Sequence, residues 1–196
     1  MRLRSFGLSA GILGTVVFAS GAWAVATLRP DTVKVADAKK TDAYVQDGMI
    51  VGGDRAIGDV VVRDIRRAAN PKYERLVLDL QGTRNGEPAA IQRPPYFQVS
   101  VSPDEKRLIF TLWGNPKLEF NAKKILGALK KSRVVQDIEF YPKLDRQTWT
   151  FAVGLKTGRQ VEVFELSNPV RIIMDIRTER AKVGQHSVKA PETLPE

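Results

Sequence analysis

Apolar residues recur at every second position through most of the middle of the chain. Leu76, Leu78 and Leu80 alternate with Val77 and Asp79, while Leu108, Phe110 and Leu112 alternate with Ile109, Thr111 and Trp113. Trp149, Phe151, Val153 and Leu155 alternate with Thr148, Thr150, Ala152 and Lys156. A period of two sends alternate side chains to opposite faces, so each run predicts a strand with one face in a core. Val161 and Val163 continue the pattern after Thr157-Gly158-Arg159, a glycine-containing turn that predicts a hairpin over residues 147–166. The segment 121–131 follows a different period. Ile125, Ala128 and Leu129 fall at i, i+3 and i+4, Asn121 can cap the start, and Lys130 and Lys131 suit the negative end of a helix dipole. This predicts one short helix, against which Lys123, Lys124 and Gly127 weigh.

The strands come in two similar sets. Val99-Ser100-Val101-Ser102 runs into a turn at Pro103, after which Arg107 opens an apolar strand; Phe164-Glu165-Leu166-Ser167 runs into Asn168-Pro169, after which Arg171 opens Ile172-Ile173-Met174-Asp175-Ile176. Upstream, Val61-Val62-Arg63-Asp64-Ile65-Arg66 lines up with Val134-Val135-Gln136-Asp137-Ile138-Glu139. Each unit reads strand, loop, strand, strand, proline turn, strand. The expected fold is therefore all-β with one short helix, an internally duplicated small β-sandwich of two sheets over residues 58–178.

The ends read differently. Met1-Arg2-Leu3-Arg4, the apolar stretch from Phe6 to Phe18 and the small-x-small site Ala22-Trp23-Ala24 predict a signal peptide over residues 1–24 and a periplasmic, exported product. A retained anchor is the alternative, because no charge appears between Ser5 and Leu28; cleavage after Ala26 is a second choice of site. Residues 25–57 are poor in large apolar side chains and predict a flexible linker, with Val45, Met49, Ile50 and Val51 able to dock as a short edge strand. Residues 179–196 predict a disordered tail.

The closing run, Leu166-Ser167-Asn168-Pro169-Val170-Arg171-Ile172-Ile173-Met174-Asp175-Ile176, and the strand Arg75-Leu76-Val77-Leu78-Asp79-Leu80 together resemble the AMIN domain. That family is a module of exported envelope proteins such as cell-wall amidases and the secretins of type IV pilus machines. The resemblance covers residues 58–178 in duplicated form. It implies a two-sheet sandwich directed to peptidoglycan, and it assigns no ligand contacts. The first half departs from the pattern, carrying Ser102-Pro103-Asp104-Glu105-Lys106-Arg107 where the family has Asn-Pro-x-Arg, and the expectation is of the module alone, with neither the hydrolase nor the pore-forming domain to which familiar members attach it.

Charge narrows the partner. The formal net charge is +9, and the leader contributes only Arg2 and Arg4, so the exported part stays basic. Outside the cytoplasm this points to peptidoglycan or another anionic envelope polymer and away from nucleic acid, with no membrane span after leader removal. Candidate ligand-binding residues are Arg66, Arg67 and Arg75 in the first unit, Lys123, Lys124 and Arg133 around the join, and Arg171 after the proline turn. Arginine suits carboxylates because its planar fork matches them. Solvated faces and local ion pairs are the bland readings of the same residues. Tyr96, Trp113 and Tyr141 are candidates for stacking on sugar rings, or else lids over the core.

Catalytic chemistry is sparse. His186, the only histidine, lies in the expected tail, and the chain contains no cysteine. A histidine-based triad, a thiol nucleophile and a zinc site thus have no residues on the expected domain. Asp137 and Glu139 share a strand face but read as exposed positions. No enzyme activity, metal or cofactor is expected. The alternative to a wall-binding module is an assembly or scaffold protein of an envelope machine that adds strands to a partner.

Overall fold

The computed structural model describes residues 33–179. Twelve strands and one helix follow in order: β1 (Val33–Val35), β2 (Gly48–Gly52), β3 (Val60–Ala69), β4 (Tyr73–Arg84), β5 (Glu87–Ala89), β6 (Phe97–Ser102), β7 (Arg107–Trp113), β8 (Pro116–Leu118), α1 (Ala122–Leu129), β9 (Val135–Phe140), β10 (Thr148–Leu155), β11 (Val161–Ser167) and β12 (Val170–Arg177). They form two sheets, β1-β2-β6-β7-β10-β9 and β11-β12-β4-β3-β8, with β5 added to β4. This is an all-β sandwich. Leu76, Leu78 and Leu80 from one sheet meet Leu108, Phe110, Leu112, Phe151 and Val153 from the other in a single core. Burying each such side chain is worth about 1.5–3 kcal/mol, which lets the sandwich hold without disulfides.

Duplication is written into the pairing. The β3-β4 hairpin joins the β11-β12 hairpin through β4 and β12, and the β9-β10 hairpin joins the β6-β7 hairpin through β10 and β7. Each sheet thus takes the first hairpin of one unit and the second of the other. Both first hairpins carry a bulge at the same place: Val62 faces Leu80 and Asp64 faces Asp79, leaving Arg63 over, while Val135 faces Leu155 and Asp137 faces Gly154, leaving Gln136 over. Arg63 and Gln136 are the residues that align in sequence. Arg107 and Arg171 also occupy equivalent positions, facing Gly154 and Asp79.

Two expectations fail. Residues 147–166 are not a hairpin, because β10 pairs with β7 and β9 whereas β11 pairs with β12. Leu155 and Val161 both enter the core, so the turn between them carries the chain from one sheet to the other. The linker expected over 25–57 is, from residue 33 onward, part of the sandwich. β2 pairs antiparallel with β6, β1 pairs parallel with β2, and Ile50 is fully buried. Between them, residues 37 and 45 bridge to Phe164 and Val161 on β11. What holds this strap is polar: Lys40 Nζ lies 2.8 Å from Glu162 and 2.9 Å from Asp175, and the Thr41 N–H donates to Glu162 at 2.7 Å. The expected leader and most of the expected tail lie outside the described residues.

The helix forms as the spacing predicts. The Asn121 side chain accepts from the Lys124 N–H at 3.0 Å, Ile125 and Leu129 are buried, and Ala128 points outward. Packed on β3 and β9, α1 closes one open side of the sandwich.

Candidate functional site

Most of the expected ligand-binding arginines are already engaged. Arg66 grips Asp79 through two bonds of 2.5 and 2.8 Å, and Arg75 grips the fully buried Asp175 at 2.6 and 2.8 Å. Arg67 Nε donates to the buried Glu74 at 2.7 Å and its second nitrogen to the Lys131 carbonyl at 3.1 Å. The Arg133 N–H donates to Glu74 at 2.6 Å, and its guanidinium donates to the Asn70 carbonyl at 2.9 Å. Lys124 Nζ lies 2.9 Å from Asp64. Arg171 donates to the Pro169 carbonyl at 3.3 Å and lies opposite Asp79 in the register of β12 and β4.

The sheet register sorts these residues. Arg66, Arg75 and Arg171 stand on the outward face of their sheet, around a small apolar cluster of Val77, Phe164 and Ile173. Arg67 and Arg133 converge on Glu74 at the end of the β3-β4 hairpin, and Lys124 leans from α1 onto β3. Buried acids organise this region. Burial opposes the Glu74 carboxylate, but Arg67, the Ser132 hydroxyl and the Arg133 N–H outweigh it and hold its pKa below the usual range. At Glu162 burial is likewise outweighed, by Lys40 and Thr41, and the pKa falls. Burial disfavours the charged form of Lys40, yet Glu162, Tyr44 and Asp175 raise its pKa overall.

Positive charge nevertheless remains along β3, β8 and α1. Arg63, Arg66, Arg67, Lys117, Lys124 and Arg133 share only Glu119, Asp79, Glu74 and Asp64. Lys123, Lys130 and Lys131 are exposed, and their ammonium groups have no acid partner among the described residues. Of the expected candidates, Lys123 and Arg171 are the cations without an acid partner among the described residues, Arg171 donating only to the Pro169 carbonyl.

A second region, at the ends of β6, β7 and β3, is built differently. Tyr96 and Trp113 extend the β6-β7 pairing by one step, with the Trp113 N–H donating to the Tyr96 carbonyl at 3.0 Å and the rings 5.0 Å apart at 51°. The Arg55 guanidinium lies 4.0 Å from the Tyr96 ring centroid. Gly53, at φ +80°, presses against the Pro95 carbonyl and sets Arg55 beside Tyr96. Gly114, at φ +84°, turns the chain where a Cβ would lie 2.4 Å from the Gly58 carbonyl oxygen. With Asn115 at φ +46° it brings Trp113, Asn115 and Gln147 around one cleft of about 350 Å³.

No family model, curated protein or solved structure matches the chain.

Tyr96 and Trp113, two of the stacking candidates, are half-buried at the cleft rather than sealed beneath it. Tyr141 lies apart, its hydroxyl donating to Glu139 at 3.1 Å. Arg55, Asn115 and Gln147 were not anticipated, since they come from separate connections and share no motif. Asp137 and Glu139 are also apart in use, with Glu139 held by Arg107 at 2.6 Å and Asp137 packed against Gly154. Among the described residues no three His, Cys, Asp or Glu side chains are placed to hold a metal ion, and no helix is long and apolar enough to cross a membrane.

Proposed function

We propose that this chain is a non-catalytic, AMIN-like module of the exported cell envelope that binds peptidoglycan or a similar anionic envelope polymer. The observation that carries this reading is the positive excess left along β3, β8 and α1 after local pairing, with Lys123, Lys130 and Lys131 exposed. A polymer bearing regularly spaced carboxylates would meet that excess without displacing the internal pairs. The leader-like first residues and the resemblance of the closing strand support an envelope setting.

Such binding is electrostatic and screened by salt, whose Debye length is about 8 Å at physiological ionic strength. Pull-down of the full-length chain with insoluble sacculi across a salt series is expected to show retention at low salt that weakens as salt rises. Full recovery in the supernatant at low salt removes the reading. An assembly role is the second reading, supported by β1, the outer strand of its sheet, which exposes Val33 at 45 % and Val35 at 66 %. Cross-linking in cells that captures one dominant protein, with no wall association, favours it instead.

A further inference from the structure

From the cleft at Tyr96 and Trp113 we infer a second binding site, one that takes an N-acetylated pyranose ring of a glycan chain. The choice of glycan rests on the envelope reading above; the cleft itself rests on its own geometry. Its walls are two tilted aromatic rings and its rim is polar, the composition of a small-ligand site. The rim also keeps free bonding capacity. Asn115 Nδ2 donates to Asp59 at 2.8 Å, which leaves Oδ1 free to accept. Among the described residues the Gln147 amide, the Tyr96 hydroxyl, the Trp113 indole N–H and the Arg55 guanidinium make no hydrogen bond, Arg55 having only its ring contact. This contrasts with Arg63, Arg66, Arg67 and Arg75 of β3 and β4, each of which has found a carboxylate.

The pattern of free groups selects the ligand. The cleft offers an acceptor at Asn115 Oδ1, donors at Trp113 and Arg55, and both at Gln147 and Tyr96. A sugar carrying hydroxyls and an acetamido group supplies complementary donors and acceptors around a ring whose C–H face packs on an aromatic surface. A polyproline segment, the other ligand that favours Tyr and Trp walls, has carbonyl acceptors and no backbone N–H, so Asn115 Oδ1 would stay unpaired. The cleft also adjoins the basic surface: Gly58 precedes β3 and Asn115 precedes β8, the two strands along which the positive excess runs. A linear polymer seated in the cleft by one sugar could continue along them.

The test is titration of the ¹⁵N-labelled full-length chain with chitotetraose, a neutral oligomer of N-acetylglucosamine, watching the Trp113 indole resonance assigned with Trp113→Phe. The expected result is a saturable shift, weakened about tenfold or more in Trp113→Ala and in Asn115→Ala/Gln147→Ala, and unchanged in Lys123→Glu/Lys130→Glu/Lys131→Glu. Both amide side chains are exposed, and because Asn115 also sits at φ +46° and donates to Asp59, the double variant's own spectrum checks that the fold is kept. No shift, or a shift with a proline-rich decapeptide and none with chitotetraose, overturns the inference. Sacculus pull-down of the same variants separates the two proposals. Wild-type and cleft variants retained equally, with no chitotetraose shift, leave wall binding standing and remove the cleft site, whereas a chitotetraose shift without sacculus retention keeps the site and removes wall binding.

Discussion

Along β3, β8 and α1 the arginines are largely paired and the free capacity lies in the exposed Lys123, Lys130 and Lys131, whereas the cleft at Tyr96 and Trp113 carries little charge and its free capacity lies in amide, hydroxyl and indole groups. Arg66, Arg67 and Arg75 look like ligand-binding residues by type, yet each is committed to Asp79, Glu74 or Asp175. At the cleft, Arg55 has no carboxylate partner and the amides face outward. Residue type alone therefore does not mark a site here. What distinguishes the regions is whether the internal structure already satisfies each group.

That contrast predicts opposite consequences of mutation. Glu74→Ala should cost the most stability, about 3–5 kcal/mol, because it leaves Arg67 and the Arg133 N–H facing an empty, buried position. Denaturant unfolding measures this, and a loss below about 1 kcal/mol would show that Glu74 does not organise its region. Acid provides the next largest effect. Glu74 and Glu162 have folded pKa values below their unfolded ones, so their contribution is fully present above the unfolded value of about 4.3 and is lost as pH falls through the folded values. Stability should decline with acid in that window, and Glu74→Gln should flatten the decline while Trp113→Ala leaves its slope alone.

Trp113→Ala should cost about 1–2 kcal/mol, as expected for losing a half-buried ring, and should act mainly on glycan binding. Smallest is Lys123→Ala, whose stability change should stay within about 0.5 kcal/mol because the exposed ammonium has no acid partner. A larger change in either would mean that the site in question is structural after all.

The strands and helix were legible because their periods are simple. Leu108, Phe110 and Leu112, or Ile125 and Leu129, declare their buried faces in any local window. The repeat of Arg63 at Gln136 was legible too, whereas the bulge that each of them makes shows only in the strand register. The docking of Met49, Ile50 and Val51 as a strand was legible as well, though β2 lies inside its sheet and not at the edge; the strap before it was not, since its anchors are Lys40 and Thr41 meeting acids more than a hundred residues away. Polar residues in a polar stretch carry no sign that they will be buried by pairing. The crossing between β10 and β11 was hidden for a related reason: alternation shows that a strand has a core face, but not which sheet it joins. The cleft was half legible, through Tyr96 and Trp113, while Arg55, Asn115 and Gln147 are gathered by Gly53 and Gly114, whose role shows only in three dimensions.

Retention on sacculi at low salt, compared between Lys123→Glu/Lys130→Glu/Lys131→Glu and Arg66→Gln, tests most directly whether unengaged groups do the binding. The account predicts that the triple lysine variant stays in the supernatant while Arg66→Gln, which loses a cation already held by Asp79, pellets like the wild type. Release of Arg66→Gln with full retention of the triple variant would contradict it.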